Sequence, residues 1–287
     1  MSATTTRAAL RYYGGKQRLA PWIASHFPPH VCYAEPFCGA MSVLLHKAPA
    51  RYEVANDLDG EVVNFFRVLR DHPEDFRRAV ELTPYARAEV DLACDGDELA
   101  GAEPLERARR FYVRSWQSIH GAPSRGRMGW RYEKGGTRGW SRTVVDAWNA
   151  TAHLLDLAER LKAVQLECDD ALRVIARFDA PTTLFYVDPP YVASTRSERW
   201  AKAAYAHELT DEGHRTLAAV LRAVEGMVVL SGYPSPLYDG LYAGWHRVEH
   251  RATVQDAGTA TETLWLSPRT GEALGRRQLS FSVEAAG

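Results

Sequence analysis

The chain has 287 residues, is 46% hydrophobic and carries a formal net charge of -1, which suits one large globular domain or a domain with a sizeable insertion and excludes a disordered or generally basic chain. No apolar stretch approaches the roughly 18 to 20 residues that span a bilayer, and the opening MSATTTRAALRYY lacks the apolar run of a secretory signal, so a cytoplasmic location is expected. Cys32, Cys38, Cys94 and Cys168 form no C-x-x-C pair and have no histidine at zinc-ligand spacing, which predicts reduced thiols and no metal.

In chain order, a polar loop at Tyr12 to Gln17 leads to a predicted helix at Leu19 to His26, an apolar run at Val31 to Phe37, a helix at Ser42 to His46 and a strand at Tyr52 to Asn56. Short apolar strands alternating with helices predict an α/β fold with a mainly parallel sheet. From about Glu61 to Leu161 the pattern turns helical (Val62 to Arg70, Pro73 to Leu82, Glu103 to Gln117, Val144 to Leu161), broken by a Gly- and Arg-rich stretch from Gly121 to Gly139. This predicts an inserted domain over 63–162, flanked by a sheet-forming domain of 1–62 and 163–287. Strand-like runs return at Ala163 to Glu167, Thr183 to Val187 and Met227 to Ser231, with a helix at Asp211 to Val224. Trp245 to His250 and Glu262 to Ser267 are expected to pair as an antiparallel hairpin at the sheet edge.

Thr183 to Val187 ends abruptly in Asp188-Pro189-Pro190-Tyr191. The two prolines lack amide hydrogens and have fixed φ, so they stiffen a loop at the strand's carboxyl end, where open α/β sheets bind ligands. Asp188 and a loop carbonyl can accept hydrogen bonds from a planar amino group, and Tyr191 offers a face for a base to stack on. Tyr33-Ala-Glu35-Pro36-Phe37-Cys-Gly39 makes a strand, a glycine turn and a helix start, whose amides favour polar or anionic groups. Asp57 follows the next strand, about twenty residues on, at the spacing of a carboxylate that binds ribose hydroxyls. In Tyr12-Tyr-Gly-Gly-Lys16, two glycines precede a lysine suited to reaching a carboxylate or phosphate.

Gly14-Gly15-Lys16, Glu35-Pro36-Phe37-Cys38-Gly39, Asn56-Asp57 and Asp188-Pro189-Pro190-Tyr191 occur in the order and approximate spacing of Dam-type, alpha-group, adenine-specific DNA methyltransferases, which the chain resembles along almost its whole length. Ser231-Gly-Tyr233, Asp239 to Tyr242 and Glu262 to Pro268 extend the likeness. The resemblance implies a Rossmann-like class I methyltransferase sheet with an inserted, mainly helical target-recognition domain. It also implies S-adenosylmethionine as donor, held by Tyr12, Lys16, Glu35, Pro36, Phe37, Gly39, Asp57, Asp170 and Asp188, with Asp188, Pro189, Pro190 and Tyr191 as the catalytic loop and Asp188 beside the target amine. Asp169 is the alternative to Asp170. Two positions depart from the family: Met41 stands where the F-x-G-x-G motif has its second glycine, and Tyr12 replaces a tryptophan.

A cytosine-C5 enzyme needs a cysteine nucleophile, and no Pro-Cys dipeptide is present. An acid before Pro-Pro-Tyr resembles the adenine group, and reaching that amine in a duplex implies rotating the nucleotide out of the stack. Between Arg107 and Arg142 lie ten Lys or Arg residues and one acid, Glu133, so the remainder of the chain is acidic. Aromatic residues interleave with these cations, which predicts duplex DNA as partner through Arg125, Arg127, Trp130, Arg131 and Arg138. For Arg107 and Arg109 a solvated helix face is expected instead. The same acceptor cage fits an RNA or a protein amide, and the change at Met41 raises a catalytically silent DNA-binding protein as the alternative from another class. A cognate restriction endonuclease and the oligomeric state stay open.

Overall fold

In the computed structural model the described residues are 7–12, 14–95, 101–119, 121, 129–133, 143–195, 207–254 and 258–284. Their centre is a seven-stranded sheet of order β3-β2-β1-β4-β5-β7-β6. The strands are β1 (Cys32–Glu35), β2 (Tyr52–Asn56), β3 (Val164–Glu167), β4 (Thr183–Val187), β5 (Met227–Gly232), β6 (His246–Val254) and β7 (Gly258–Leu266). β1 to β5 run parallel, while β7 runs antiparallel to both β5 and β6. This is the Rossmann-like sheet that the resemblance implies, and the predicted terminal hairpin is present and longer than its apolar pattern suggested.

Every residue of β4 and β5 is buried, as expected for parallel strands covered on both faces. Alternate side chains sort to opposite sides: Leu184 and Tyr186 join one core cluster, Phe185 and Val187 the other. The second cluster lies against α9 (Ala171–Phe178), α10 (Asp211–Ala223) and α11 (Pro236–Leu241). The first spreads from α1 (Ala20–Ser25) and α2 (Ser42–His46) into the helical segment. That segment holds α3 (Gly60–Asp71), α4 (Pro73–Glu81), α5 (Arg87–Ala93), α6 (Pro104–Gln117), α7 (Val144–Asn149) and α8 (His153–Leu161). Phe65, Phe76, Phe111, Tyr112 and Trp148 therefore share one continuous core with Tyr33, Ala55 and Leu184 of the sheet.

The single helix expected over Val144 to Leu161 is two helices. Thr143 and Asp146 form a capping box that starts α7, which ends at Asn149 because Trp148 is pinned by its Nε1 donating to the Thr83 carbonyl at 2.9 Å. Thr151 then turns its hydroxyl to Glu81 at 2.8 Å, a side-chain bond of the kind that competes with helix continuation. Four further helices carried no expectation: α5, α9, α11 and α12 (Pro268–Glu284). α9 starts where Asp170 accepts from the amides of Leu172 and Arg173, a standard N-cap bond.

A buried ion triad joins the helical segment to the sheet. Glu53, 1% exposed in β2, pairs with Lys47 at 2.6 Å and with Arg160 of α8 at 2.5 Å. Burial alone would raise the Glu53 carboxyl, but Arg160 and Lys47 outweigh it and hold the group below the usual carboxylate range. Arg160 also donates to the Leu44 carbonyl of α2 at 3.1 Å.

Candidate active site

The carboxyl ends of β1, β2, β3 and β4 open onto one cleft of about 360 Å3. It lies beside the switch point between β1 and β4, where chain direction along the sheet order reverses. Tyr12, Lys16, Glu35, Pro36, Phe37, Gly39, Asp57, Asp170, Asp188 and Pro190 all line it. So the fold gathers every donor-side candidate at one place, although they come from widely separated parts of the chain.

The turn after β1 is fixed by close approach. Gly39 has φ +45°, and a Cβ there would stand 3.0 Å from Cε1 of the Tyr12 ring, so a larger residue would displace the aromatic wall. Its amide donates to Asp57 Oδ2 at 2.9 Å, and the Asp59 amide donates to Asp57 Oδ1 at 2.9 Å. Asp57 thus braces the glycine turn as well as facing the cleft. Burial pushes its carboxyl up to about 6, against the pull of those two amides. Asn56 ties the neighbouring loops together, donating to the carbonyls of Pro36 at 2.9 Å and Asp169 at 3.0 Å. Asp169 turns away to Arg177 at 2.9 Å, leaving Asp170 as the cleft-lining acid of the pair.

Met41, at the expected second glycine, has φ 51° and ψ 30° and is the one non-glycine with positive φ among the described residues. The position requires a left-handed residue, and this chain fills it with a side chain only 1% exposed. Left-handed geometry costs an L-residue roughly 1–2 kcal/mol, whereas deleting a buried methionine costs about 2–5 kcal/mol. Met41→Gly is therefore expected to destabilise the protein by about 1–3 kcal/mol despite relieving strain. A lower urea midpoint at unchanged slope checks this, and a higher midpoint would reverse it.

At the other end of the cleft, Asp188 is held on both oxygens. Ser231 Oγ donates to Oδ1 at 2.7 Å, and Lys16 Nζ lies 2.9 Å from Oδ2. Lys16 also donates to the Gly14 carbonyl at 2.9 Å and sits 4.7 Å from the centre of the Tyr191 ring. Burial opposes its charge, but Asp188 and Glu262 outweigh burial and raise its ammonium above the usual range. Pro189 and Tyr191 are buried behind the lining. The Tyr191 ring meets Tyr233 edge-on at 4.7 Å, and its hydroxyl donates to Glu262. Glu35, deep at the end of β1, accepts from the Tyr33 hydroxyl at 2.6 Å, and burial lifts its carboxyl to about 8.

Ser231 and Glu262 were noted in the sequence only within family-like stretches, without roles. Leu58 and Leu172 also line the cleft and carried no signal beyond their neighbours' motifs, and His207, which reads in the sequence as an ordinary surface or packing histidine, lines it too. His214 is fully buried beside the Tyr238 hydroxyl at 3.1 Å, a packing histidine.

Of the candidate DNA contacts, Arg125, Arg127 and Arg138 lie outside the described residues. Trp130 packs between Tyr85 and Tyr132, with the Arg87 guanidinium 5.1 Å from its ring centre. Tyr132, half-exposed, is the more open ring. The Arg131 amide donates to the Gln117 carbonyl at 2.8 Å, which fixes its backbone beside α6. The arginines of α6 are not a free basic face: Arg107 pairs with Glu61, Arg109 with Glu106 and Glu89, and Arg110 with Glu106.

Among the described residues no group of His, Cys, Asp and Glu is arranged to hold a metal ion, and no helix is long and apolar enough to cross a membrane. The family model of the D12 class N6 adenine-specific DNA methyltransferases matches residues 12–93, which carry the donor-side motifs. The DNA adenine methylase of Escherichia coli (strain K12) is 25% identical over 231 residues, 77% of this chain and 77% of that protein. Its counterpart from Salmonella typhi is 25% identical over 263 residues, 88% of this chain and 90% of its own. That of Serratia marcescens reaches 36% over 72 residues, 25% of this chain and 26% of its own. With this sheet and these motifs at its strand ends, the chain is similar to the Dam-type adenine-specific DNA methyltransferases over most of its length.

Proposed function

We propose that this methyltransferase transfers the methyl group of S-adenosylmethionine to N6 of an adenine rotated out of duplex DNA, with Asp188 gripping the target amine. The observation that carries the reading is the orientation of Asp188 at the end of β4, held on both oxygens at one end of a cleft whose other walls hold Asp57 and Asp170.

The cleft fits such a donor by its chemistry as well as its size. Two carboxylates suit hydroxyl and amine groups, Gly39 leaves room against Tyr12 where a Cβ would strike the ring, and Leu58 and Leu172 add apolar wall. Tyr12, Glu35, Pro36, Phe37, Gly39, Asp57 and Asp170 would hold it. When bound, the donor supplies an electrophilic methyl on a cationic sulfur, released to the attacking nitrogen as sulfur keeps the bonding pair. Asp188 and a loop carbonyl accept hydrogen bonds from the amine and draw its lone pair out of conjugation. Lys16 keeps Asp188 in place. The proton lost from nitrogen passes to Asp188 or to water. Pro189 and Pro190 stiffen the loop, and Tyr191 anchors it from behind. Arg131, with Arg125, Arg127 and Arg138, meets the duplex, and Trp130 shapes that surface.

The test is incorporation of labelled methyl from S-adenosylmethionine into duplex DNA, RNA and protein in competition, with the modified base identified. N6-methyladenine in DNA supports the reading; preferential transfer to RNA or to a protein amide overturns the substrate. Donor binding by calorimetry argues against a silent DNA-binding protein, and methyl transfer excludes it.

Asp57 gives this reading a pH signature. Its carboxyl ionises around 6, so a hydrogen bond to its charged form is present above that pH and lost as pH falls through it. Hydrogen bonds to charged groups contribute about 1.5–3 kcal/mol, enough for donor affinity to follow the ionised fraction of Asp57 and fall by up to about tenfold between pH 7.5 and 5. Asp57→Asn flattens this dependence, and a wild-type affinity constant across that range would contradict the role.

A further inference from the structure

Glu262 is an acid that the donor and acceptor motifs leave without a role. It sits in β7, beside β5, and is 5% exposed. Its Oε1 accepts the Tyr191 hydroxyl and lies 3.9 Å from Lys16 Nζ. Lys16 in turn bonds Asp188 at 2.9 Å and lies over the Tyr191 ring. One ammonium therefore stands between two carboxylates, and the same glutamate ties down the far end of the Asp188 to Tyr191 loop. A buried carboxylate costs several kcal/mol unless paired, so a neutral acceptor would anchor Tyr191 at lower cost; the charge has its use toward Lys16.

We propose that Glu262 is a positioning residue for methyl transfer, its carboxylate holding the Lys16 ammonium on Asp188 while anchoring Tyr191, so that charge and geometry at the acceptor are set together. This rests on the role proposed for Asp188. The groups that face Glu262 are Lys16 from the N-terminal loop, Asp188 and Tyr186 from β4, Tyr191 beyond it, and His250 across the β6 register. Burial raises its carboxyl and Asp188 raises it further, while Lys16 and the Tyr191 hydroxyl lower it.

Two measurements decide the matter. The first follows the Glu262 side-chain carbon by NMR through a pH titration and needs no activity. Lys16→Met removes the neighbouring cation and is expected to move the Glu262 midpoint upward by about one pH unit; an unmoved midpoint overturns the proposed link. The second is the ratio of kcat for wild type to kcat for Glu262→Gln on duplex DNA. Gln keeps an acceptor for Tyr191 but mimics the protonated acid, so the ratio is expected to be close to one at the acid end and about tenfold at the alkaline end, roughly 1.4 kcal/mol. Glu262→Asp, which keeps the charge, follows the wild-type profile at reduced kcat. The slope persists in a His250→Gln background, which removes imidazole titration. A constant ratio would mean that Glu262 only packs, and overturns the proposal. Should wild type transfer no methyl group to DNA, the functional reading fails while the titration still decides the Lys16 link.

Discussion

Asp188→Ala is expected to lower kcat for methyl transfer about 10³-fold, the order seen when one preorganised polar group is removed from a reacting centre. Both carboxylate oxygens are fixed, by Ser231 at 2.7 Å and Lys16 at 2.9 Å, so no reorganisation is needed when the amine arrives. Alanine removes the acceptor and leaves Lys16, 6% exposed, with the more distant Glu262 as its carboxylate partner beside the Gly14 carbonyl and the Tyr191 ring. Asp188→Asn tests charge against shape. Its amide keeps one acceptor oxygen, but its NH2 must face either the Ser231 hydroxyl or the Lys16 ammonium, so a loss of about 10²-fold is expected. Single-turnover rates with donor and DNA saturating report the chemical step, and calorimetry of donor binding separates it from affinity. Rates undiminished in Asp188→Ala would remove the assigned role.

Glu53→Ala is expected to destabilise the fold by about 3–5 kcal/mol, because it strands Lys47 and Arg160 as buried, uncompensated cations. For a chain of this length that corresponds to a fall in Tm of roughly 10 °C. The contrast with Arg77 and Glu81 is instructive. Their ion pair at 2.8 Å is also short, but both side chains are a third or more exposed, and such pairs contribute about 0.3–0.5 kcal/mol. The sign with pH follows from the lowered Glu53 carboxyl: its stabilisation is present above the ordinary glutamate pKa and is lost as pH falls through the depressed folded value. Urea unfolding of wild type and Glu53→Ala at neutral pH checks the magnitude. A difference below about 1 kcal/mol would place the triad with surface pairs.

Much of the sheet was legible in the chain because its central strands are fully buried and end in punctuating residues. β4 reads as an apolar run stopped by Asp-Pro-Pro, and β2 as a short strand, interrupted by Glu53, that ends in Asn56-Asp57. Functional groups of an open α/β sheet sit at those same strand ends, so the residues that mark where strands stop also mark the cleft. Helices were harder. No glycine or proline announces the break at Asn149 to Thr151, since Trp148 and Thr151 impose it through partners on α4 and the loop after it. Asp170, read as a donor contact, also caps α9, and the helix it starts went unread.

What the chain could not display was pairing between distant segments. Ser231 and Glu262 acquire roles only because β5 lies next to β4 and β7 next to β5. The basic stretch misleads for the same reason. Counted along the sequence, Arg107, Arg109 and Arg110 belong to a run of cations, but folding brings Glu61 and Glu89 against Arg107 and Arg109. Met41 is the converse case: the sequence marked a missing glycine, and the backbone keeps the left-handed turn that a glycine would take.

On the proposed reading, Asp188 directs methylation to adenine N6 in duplex DNA. Methylation-sensitive sequencing of DNA from methylation-free cells expressing wild type or Asp188→Ala tests it most directly. Modified adenine at one recurring sequence, present with wild type and absent with the variant, is the predicted result. Unmodified adenine with wild type, or the same pattern from Asp188→Ala, would contradict it.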